Sequence, residues 1–262
     1  MCYDVSFEVN MRELRNLIPD LDFESQAELN FPQAAHLQGS GVFSEQPIVY
    51  VNRDTMKLHC RIMEWGVVEY YQKQIPDFER RNGMLNARSE RILGDPQSYW
   101  HKIRNRRCLI PVSGIYEHRA VKGFRNRIPY WIRPKDQDPF FLPGLYSRAV
   151  VTDPTTGRQR YLWSFTMITR TANSVMWQIH NANKLKHRMP LFLPLDMSLE
   201  FLKEDLTVER YQEILNYKMP SEDLIYHPVF TIRSDKMRPD HRSKSEYFEW
   251  PDLPPLGQGD PN

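Results

Sequence analysis

The chain has 262 residues, 40% hydrophobic and 26% charged, which excludes a mini-protein scaffold because this length buries a full core without disulfide or metal support. No segment approaches the roughly 18 apolar residues of a membrane helix, and the first ten residues lack a signal-peptide pattern, so we expect a cytoplasmic protein without membrane contact. Lys and Arg (35) nearly balance Asp and Glu (33), so net charge alone indicates no partner.

Apolar periodicity predicts short helices and strands along most of the chain. In chain order these are a helix over 9–18, strands over 47–51 and 57–62, a helix over 97–104, strands over 108–116, 128–133, 139–146 and 161–169, a helix over 172–180 with Thr171 as a candidate N-cap, a strand over 191–195, helices over 198–204 and 207–217, and a strand over 224–232. Short turns such as VKGFRN join the strands, which favours antiparallel pairing. The pattern predicts one α+β domain over 1–250, followed by a flexible Pro/Gly-rich tail over 251–262.

The basic residues are concentrated in one stretch of the chain. Between His101 and Arg127 there are eight Lys or Arg residues and a single acid, Glu117. A local excess of this kind is typical of a nucleic-acid-binding face, although a solvated surface produces similar runs.

Cys2 stands apart from the other two cysteines, Cys60 and Cys108, which are too scattered for a disulfide framework or a paired zinc site. Removal of an initiator Met leaves a residue at position 2 with a free α-amine, whose pKa is about 8, beside a thiol with a pKa of about 8.5. Such an aminothiol condenses with an aldehyde to an imine, and the thiol then closes a five-membered thiazolidine. The alternative is that Cys2 is accidental and lies in a frayed terminus.

Asn86 and Arg88 form a second candidate, in the stretch MLNARSE that follows Trp65-Gly66 and a polar loop. Asn offers both a donor and an acceptor, and Arg offers a planar fork that suits phosphate. A surface turn with one charge is the alternative interpretation.

Glu117 is a third candidate because it ends the apolar stretch RCLIPVSGIYE within the basic region. A carboxylate at the edge of a core is uncommon without a partner. It is therefore a candidate general acid or base, and an ion pair with a nearby arginine is the alternative.

His180 and His187 form the fourth candidate, since either histidine can move protons near neutral pH. No Cys or carboxylate lies at a spacing that suits a metal, so no metal site is predicted. A structural role in hydrogen bonding is the alternative.

Taken in order, these features resemble the SOS response-associated peptidase (SRAP) family. The resemblance rests on Cys2, Trp65-Gly66, Asn86-Ala-Arg88-x-Glu90, RCLIPxxGxYE ending at Glu117, and a late His before Arg-Met-Pro. It extends from residue 2 to about residue 195. It implies a barrel-like β core with flanking helices. It also implies binding of single-stranded DNA at abasic sites, a covalent link to the ring-opened sugar, and autoproteolytic exposure of the cysteine.

The resemblance also implies a role for each candidate residue. Cys2 is the nucleophile, Asn86 holds the Cys2 amine or the sugar, Glu117 moves protons, and the late histidine opens the sugar or reverses the link. The residues expected to contact DNA phosphates are Arg88, Arg104, Arg106, Arg107 and Arg119, and those expected to stack on bases are Trp65, Tyr70 and Tyr71. No cofactor is implied, and a monomer is the default.

Three departures from the family pattern stand out. The family usually follows its cysteine with Gly-Arg, whereas this chain has Tyr3-Asp4, which removes a positive charge beside the nucleophile. His118 occupies a position where Trp is common. An insertion separates His180 from His187, and we favour His180 because a helix end positions a side chain more firmly than a Lys-rich loop.

Two further functions remain open from the sequence. One is a peptidase with Cys2 as an N-terminal nucleophile and a peptide as substrate. The other is a passive single-strand binder in which Cys2 is idle. Salt-sensitive binding to single strands favours the DNA functions, because phosphate contacts release counterions.

Overall fold

The structure is a computed structural model and describes residues 2–153, 155–234 and 236–261. The strands are β1 (Asp4–Phe7), β2 (Asp22–Phe23), β3 (Ala34–Gln38), β4 (Glu45–Asn52), β5 (Lys57–Trp65), β6 (Asn86–Arg88), β7 (Arg107–Val112), β8 (Gly114–Arg119), β9 (Ile128–Pro134), β10 (Phe140–Thr152), β11 (Gln159–Thr171), β12 (Arg188–Pro190) and β13 (Leu224–Pro228). The helices are α1 (Leu14–Leu17), α2 (Gln26–Leu29), α3 (Phe78–Asn82), α4 (Ser89–Gly94), α5 (Tyr99–Lys102), α6 (Ser174–Ile179), α7 (Leu195–Phe201) and α8 (Val208–Asn216), with a 3-10 turn at Ser221–Asp223. Within these ranges, no helix is long and apolar enough to span a bilayer.

Five strands close into a barrel. The order β11-β10-β7-β4-β5 is antiparallel throughout, and a short parallel pairing of β11 with β5, Phe165 opposite Trp65, joins the two ends. Alternate side chains of these strands point inward and form an apolar core that includes Ile48, Ile110 and Leu142. The predicted α+β fold with a mainly antiparallel, barrel-like core is confirmed.

A second, fully antiparallel sheet covers one side of the barrel, in the order β13-β9-β8-β1-β3. In this sheet β1 pairs with β8, so that Asp4 lies opposite Tyr116. The start of the chain is therefore held beside the end of the predicted RCLIPVSGIYE stretch, which splits at Ser113 into β7 and β8.

Several predicted elements differ from the structure. In the predicted helix 9–18, only Leu14–Leu17 is helical, because the Asn10 side chain accepts the Arg12 N–H at 3.1 Å and bends the chain into a turn. The predicted strand 191–195 is wrong: residues 191–193 are buried coil between Pro190 and Pro194, which have no N–H to donate to a ladder. The cap of α6 is Asn173, which accepts the Met176 N–H at 2.9 Å, and Thr171 belongs to β11.

The segment after residue 250 is bound to the body of the domain rather than loose. Arg119, with 0% of its surface exposed, donates to the Asp260 carboxylate and to the carbonyls of Pro254, Pro255 and Gln258. A buried guanidinium requires such acceptors because unpaired burial is costly. The expected flexible tail over 251–262 is thereby corrected for 251–261, and Asn262 lies outside the described residues.

Gly114 permits a close approach of two strands and supports a stability prediction. A Cβ at this position would lie 2.0 Å from Nε1 of Trp131, whose indole donates to Ser6 at 2.9 Å. We expect Gly114→Ala to lower the free energy of unfolding by about 3 kcal/mol, because the ring has to leave its pocket. Urea denaturation measures the loss, and Gly94→Ala, with no atom within 4 Å of its Cβ, is the matched control. Equal midpoints for both variants would contradict the prediction.

Candidate active site

Cys2 lies two residues before the start of β1 at Asp4 and is buried, with 1% of its surface exposed. Its Sγ is 3.4 Å from the Asp4 carbonyl oxygen and 4.0 Å from that of Tyr116. Burial raises the pKa of the Cys2 thiol well above its ordinary value, and the nearby Glu117 carboxylate raises it further. The thiol is therefore neutral at physiological pH.

Asn86 lies beside Cys2 because β6 pairs with β11, where Asn86 is opposite Met167. Its Nδ2 donates to the Cys2 carbonyl oxygen at 3.0 Å. Its Oδ1 is buried and has no hydrogen-bond partner among the described residues. A buried acceptor without a donor is costly, so this oxygen is suited to receive a donor from a ligand or from the Cys2 backbone nitrogen.

Glu117 is the acidic residue of this cluster and comes from β8. It is 4% exposed, and its Oε1 is buried without a hydrogen-bond partner in the described part of the chain. Its charge acts on both neighbours: it adds to the effect of burial that raises the pKa of the Cys2 thiol, and it partly offsets the burial that lowers the pKa of His180. The structure thus brings Cys2, Asn86, Glu117 and His180 together from four separate parts of the sequence.

A cleft of about 650 Å³ opens beside the cluster. It is lined by Tyr3, Asp4, Ser40, Glu117, His118, Arg127, His180, Asn183, Lys184, Leu185 and Arg233. The insertion between His180 and His187 supplies three of these residues and forms one wall. Glu117 and His180 therefore face the cleft, as do Tyr3 and Asp4, which directly follow the buried Cys2 in the chain.

The two candidate histidines occupy different surroundings. His180 ends α6 and is 6% exposed; its Nδ1 lies 2.9 Å from the Arg188 carbonyl oxygen and 3.1 Å from the Arg188 nitrogen. His187 instead stacks on Trp177, with ring centroids 3.6 Å apart, and is not part of the cleft lining. Of the two candidates, His180 lines the cleft together with Glu117 and His187 does not.

His180 supports a pH prediction. Burial lowers its pKa below the ordinary 6.5, only partly offset by the Glu117 charge. The unfolded chain then binds more protons, so the stability from neutral His180 is full above about pH 6.5 and is lost as pH falls through the folded pKa. We expect His180→Gln to flatten the decline in unfolding free energy between pH 7 and pH 5, as measured by urea denaturation. Parallel profiles for the variant and the parent would contradict this, since the other buried histidines are common to both.

The predicted DNA-contacting residues divide into exposed and buried groups. Arg88 is exposed at the end of β6. Arg104 is half-buried and donates to the His101 carbonyl oxygen at 2.8 Å. Arg106 lies over the Tyr70 ring, 5.5 Å from its centroid, in a cleft lined by Tyr146 and Trp163 that is separate from the Cys2 cleft.

Three of the predicted DNA contacts require correction because their side chains lie in the interior. Trp65 is 0% exposed, and its Nε1 donates to the Leu85 carbonyl oxygen at 2.9 Å. Arg107 is 5% exposed and donates to the Lys203 carbonyl oxygen at 2.6 Å. Arg119 is enclosed by the C-terminal segment. These residues support the fold, so the basic stretch 101–127 does not form one continuous binding face.

The structure also adds residues that the sequence analysis missed. Asp4, buried next to Cys2, accepts two hydrogen bonds from Arg233 at 3.0 and 2.6 Å and lies 2.8 Å from His36 Nε2. Burial alone would raise the pKa of Asp4, but these partners hold it below its ordinary value. Asp4 and Arg233 are 229 positions apart, so no local sequence pattern predicts that they form an ion pair. Within the described ranges, no group of three His, Cys, Asp or Glu residues is arranged to hold a metal ion.

The barrel, its covering sheet and the buried Cys2–Glu117–Asn86 cluster define an α+β protein with an N-terminal cysteine site. The chain belongs to the SOS response associated peptidase (SRAP) family, whose model matches residues 1–232. It is 26% identical over 211 residues to the abasic site processing protein HMCES of Gallus gallus, covering 74% of this chain and 60% of that protein. The chain thus spans less than two thirds of that relative's length.

Solved structures with low identity share the fold. A protein from Bacteroides thetaiotaomicron superposes with a TM-score of 0.73 at 24% identity, covering 94% of this chain and 97% of that one. A protein from Bordetella bronchiseptica superposes with a TM-score of 0.66 at 17% identity, covering 88% of this chain and 100% of that one. A phage-related protein from the same organism superposes with a TM-score of 0.58 at 18% identity, covering 88% of this chain and 95% of that one.

Proposed function

We propose that this protein, acting as a cytoplasmic monomer, captures abasic sites in single-stranded DNA by forming a covalent link through Cys2. The observation that carries the proposal is the placement beside Cys2 of two buried oxygens, Asn86 Oδ1 and Glu117 Oε1, which have no hydrogen-bond partner among the described residues. Family membership and the similarity to a protein named for abasic site processing support the same reaction.

The chemistry balances without an external oxidant or cofactor. Removal of Met1 frees the Cys2 α-amine, which attacks the aldehyde of the ring-opened sugar, and water leaves as the C=N bond forms. The thiol sulfur then adds to the imine carbon while its proton passes to the imine nitrogen, which closes a thiazolidine. Because the thiol starts neutral, a nearby group has to relay its proton from sulfur to the imine nitrogen.

Each neighbouring side chain has a role in this sequence. The Asn86 amide oxygen accepts a hydrogen bond from the Cys2 amine and orients it. Glu117 carries protons among the amine, the departing hydroxyl and the thiol. His180, neutral and held at Nδ1 by the backbone of Arg188, assists the opening of the closed sugar. Arg88, Arg127 and Lys184 supply positive charge for flanking phosphates.

The test mixes the Met1-processed protein with a single-stranded oligonucleotide that carries one abasic site. We expect a species that survives denaturing electrophoresis, with an intact mass equal to protein plus DNA less one water. The same oligonucleotide with its aldehyde reduced by borohydride is the control and gives no adduct. Absence of the adduct, with Met1 removal verified by mass, would refute the proposal.

A peptidase acting through Cys2 is the second candidate, favoured by the name of the family. The same cluster offers a nucleophile and an acid–base group, and autoproteolytic release of Cys2 would be one such reaction. Cleavage of peptides that is insensitive to competing single-stranded DNA would support a peptide substrate, whereas salt-sensitive DNA binding supports abasic-site capture.

A further inference from the structure

Arg233 is placed beside the nucleophile by an ion pair with Asp4. Its Nε and Nη2 donate to the two carboxylate oxygens of Asp4, at 3.0 and 2.6 Å, while its Nη1 has no hydrogen-bond partner among the described residues. The Asp4 side chain is 2% exposed and that of Arg233 is 43% exposed. One edge of the guanidinium is therefore held by Asp4 and the other is available to the cleft that both residues line.

The preceding segment fixes the position of Arg233. Val229 and Ile232 are buried against Tyr116 of β8, and the Val229 N–H donates to the Pro129 carbonyl oxygen at 2.9 Å. The chain therefore delivers Arg233 to the same sheet that carries Cys2 and Glu117. It follows directly after residue 232, where the match to the family model ends.

The balance of charged side chains in the cleft depends on Arg233. Its lining includes two carboxylates, Asp4 and Glu117, close to the site of a polyanionic substrate, and three cations, Arg127, Lys184 and Arg233. Without Arg233, the two carboxylates would equal the remaining cations in number. The negative charge of Asp4 beside Cys2 would then repel phosphate. A guanidinium fixed by two hydrogen bonds has already lost the rotamer freedom that phosphate binding would otherwise restrict.

We propose that Arg233 is a phosphate-binding and positioning residue of the Cys2 cleft, with Asp4 as the anchor that orients it. The Nη1 edge donates to a phosphate that flanks the abasic sugar and so aligns the aldehyde with the Cys2 amine. This role deepens, and rests on, the proposed capture of abasic sites. It also gives Asp4 a role, because this carboxylate orients a guanidinium that lies 229 positions away in the sequence.

The experiment measures binding separately from chemistry. Single-stranded DNA with a tetrahydrofuran abasic analogue, which has no aldehyde, is titrated at several salt concentrations. We expect Arg233→Gln to weaken binding about tenfold and to reduce the salt slope by about 0.7, the value for one phosphate contact on a single strand. Arg242→Gln is the matched control, because Arg242 is exposed, its guanidinium lies 3.9 Å from Glu246, and it does not line the cleft. We expect this variant to leave affinity and slope unchanged.

A double variant separates phosphate binding from a structural effect of leaving Asp4 unpaired. If Arg233 only neutralises Asp4, Asp4→Asn combined with Arg233→Gln restores parent affinity and slope, and the inference is overturned. We expect the double variant to remain weak with the reduced slope while its melting temperature returns toward that of the parent. Unchanged binding by Arg233→Gln would also overturn it. Failure of the parent protein to cross-link an authentic abasic site would instead refute the proposed function.

Discussion

Cys2→Ala is expected to abolish the denaturation-resistant adduct while single-strand binding is retained. Alanine keeps the α-amine, so an imine can still form, but without the thiol no thiazolidine closes and the imine hydrolyses. We expect the stable adduct to fall by more than about a thousandfold, since covalent capture is lost rather than slowed. Denaturing electrophoresis after heating, followed by intact mass, measures the change.

Two comparisons make the Cys2 result specific. Affinity of Cys2→Ala for the tetrahydrofuran analogue should stay within about twofold of the parent, because Cys2 is 1% exposed and its side chain does not line the cleft. Cys60→Ala is the matched control, since Cys60 is also a buried free thiol but lies in a different core cluster. Persistence of the heat-stable adduct in Cys2→Ala would show that another residue forms the link.

Glu117→Gln is expected to slow cross-linking by about 10²–10³-fold, the usual contribution of a positioned acid–base group. Glutamine matches glutamate in size, so the packing at this 4% exposed position is retained, but an amide cannot shuttle protons. Single-turnover cross-linking rates at excess protein measure the effect, and binding to the unreactive analogue should be unchanged or slightly tighter because one negative charge leaves the cleft.

The same variant has a second, spectroscopic readout. Glu117 raises the pKa of the Cys2 thiol in addition to the larger effect of burial, so Glu117→Gln should lower that pKa, although it stays above the ordinary value. The ultraviolet absorbance of the thiolate, taken as the difference between the protein and Cys2→Ala, follows the titration. Glu69→Gln is the control because Glu69 is equally buried, at 4%, and pairs with Arg80. Equal cross-linking rates for Glu117→Gln and Glu69→Gln would show that Glu117 takes no part in the reaction.

The core strands follow from local sequence patterns, and the reactive side chains that are candidates for the site could be listed from the sequence. Alternation in 47–51, 57–62, 108–116 and 139–146 marks side chains that enter the barrel, because period two places them on one face. Cys2, Asn86, Glu117 and His180 could be named as candidates because their order along the chain resembles the pattern of the SRAP family, whereas each of them alone is a weak signal. Short helices such as Leu14–Leu17 were overestimated, since apolar spacing reports burial and not the hydrogen bonds that end a helix.

The sequence by itself determined that the chain forms an α+β domain, and it offered Cys2, Asn86, Glu117 and His180 as candidates for nucleophilic and acid–base chemistry. Only the tertiary structure decided which neighbours those side chains have. It buries Trp65 and Arg119 in structural roles, separates His180 from His187, and pairs Asp4 with Arg233 across 229 positions. The reason is that burial and ion pairing depend on which distant strands meet, here β1 with β8 and β6 with β11, and strand pairing at that separation leaves no local pattern.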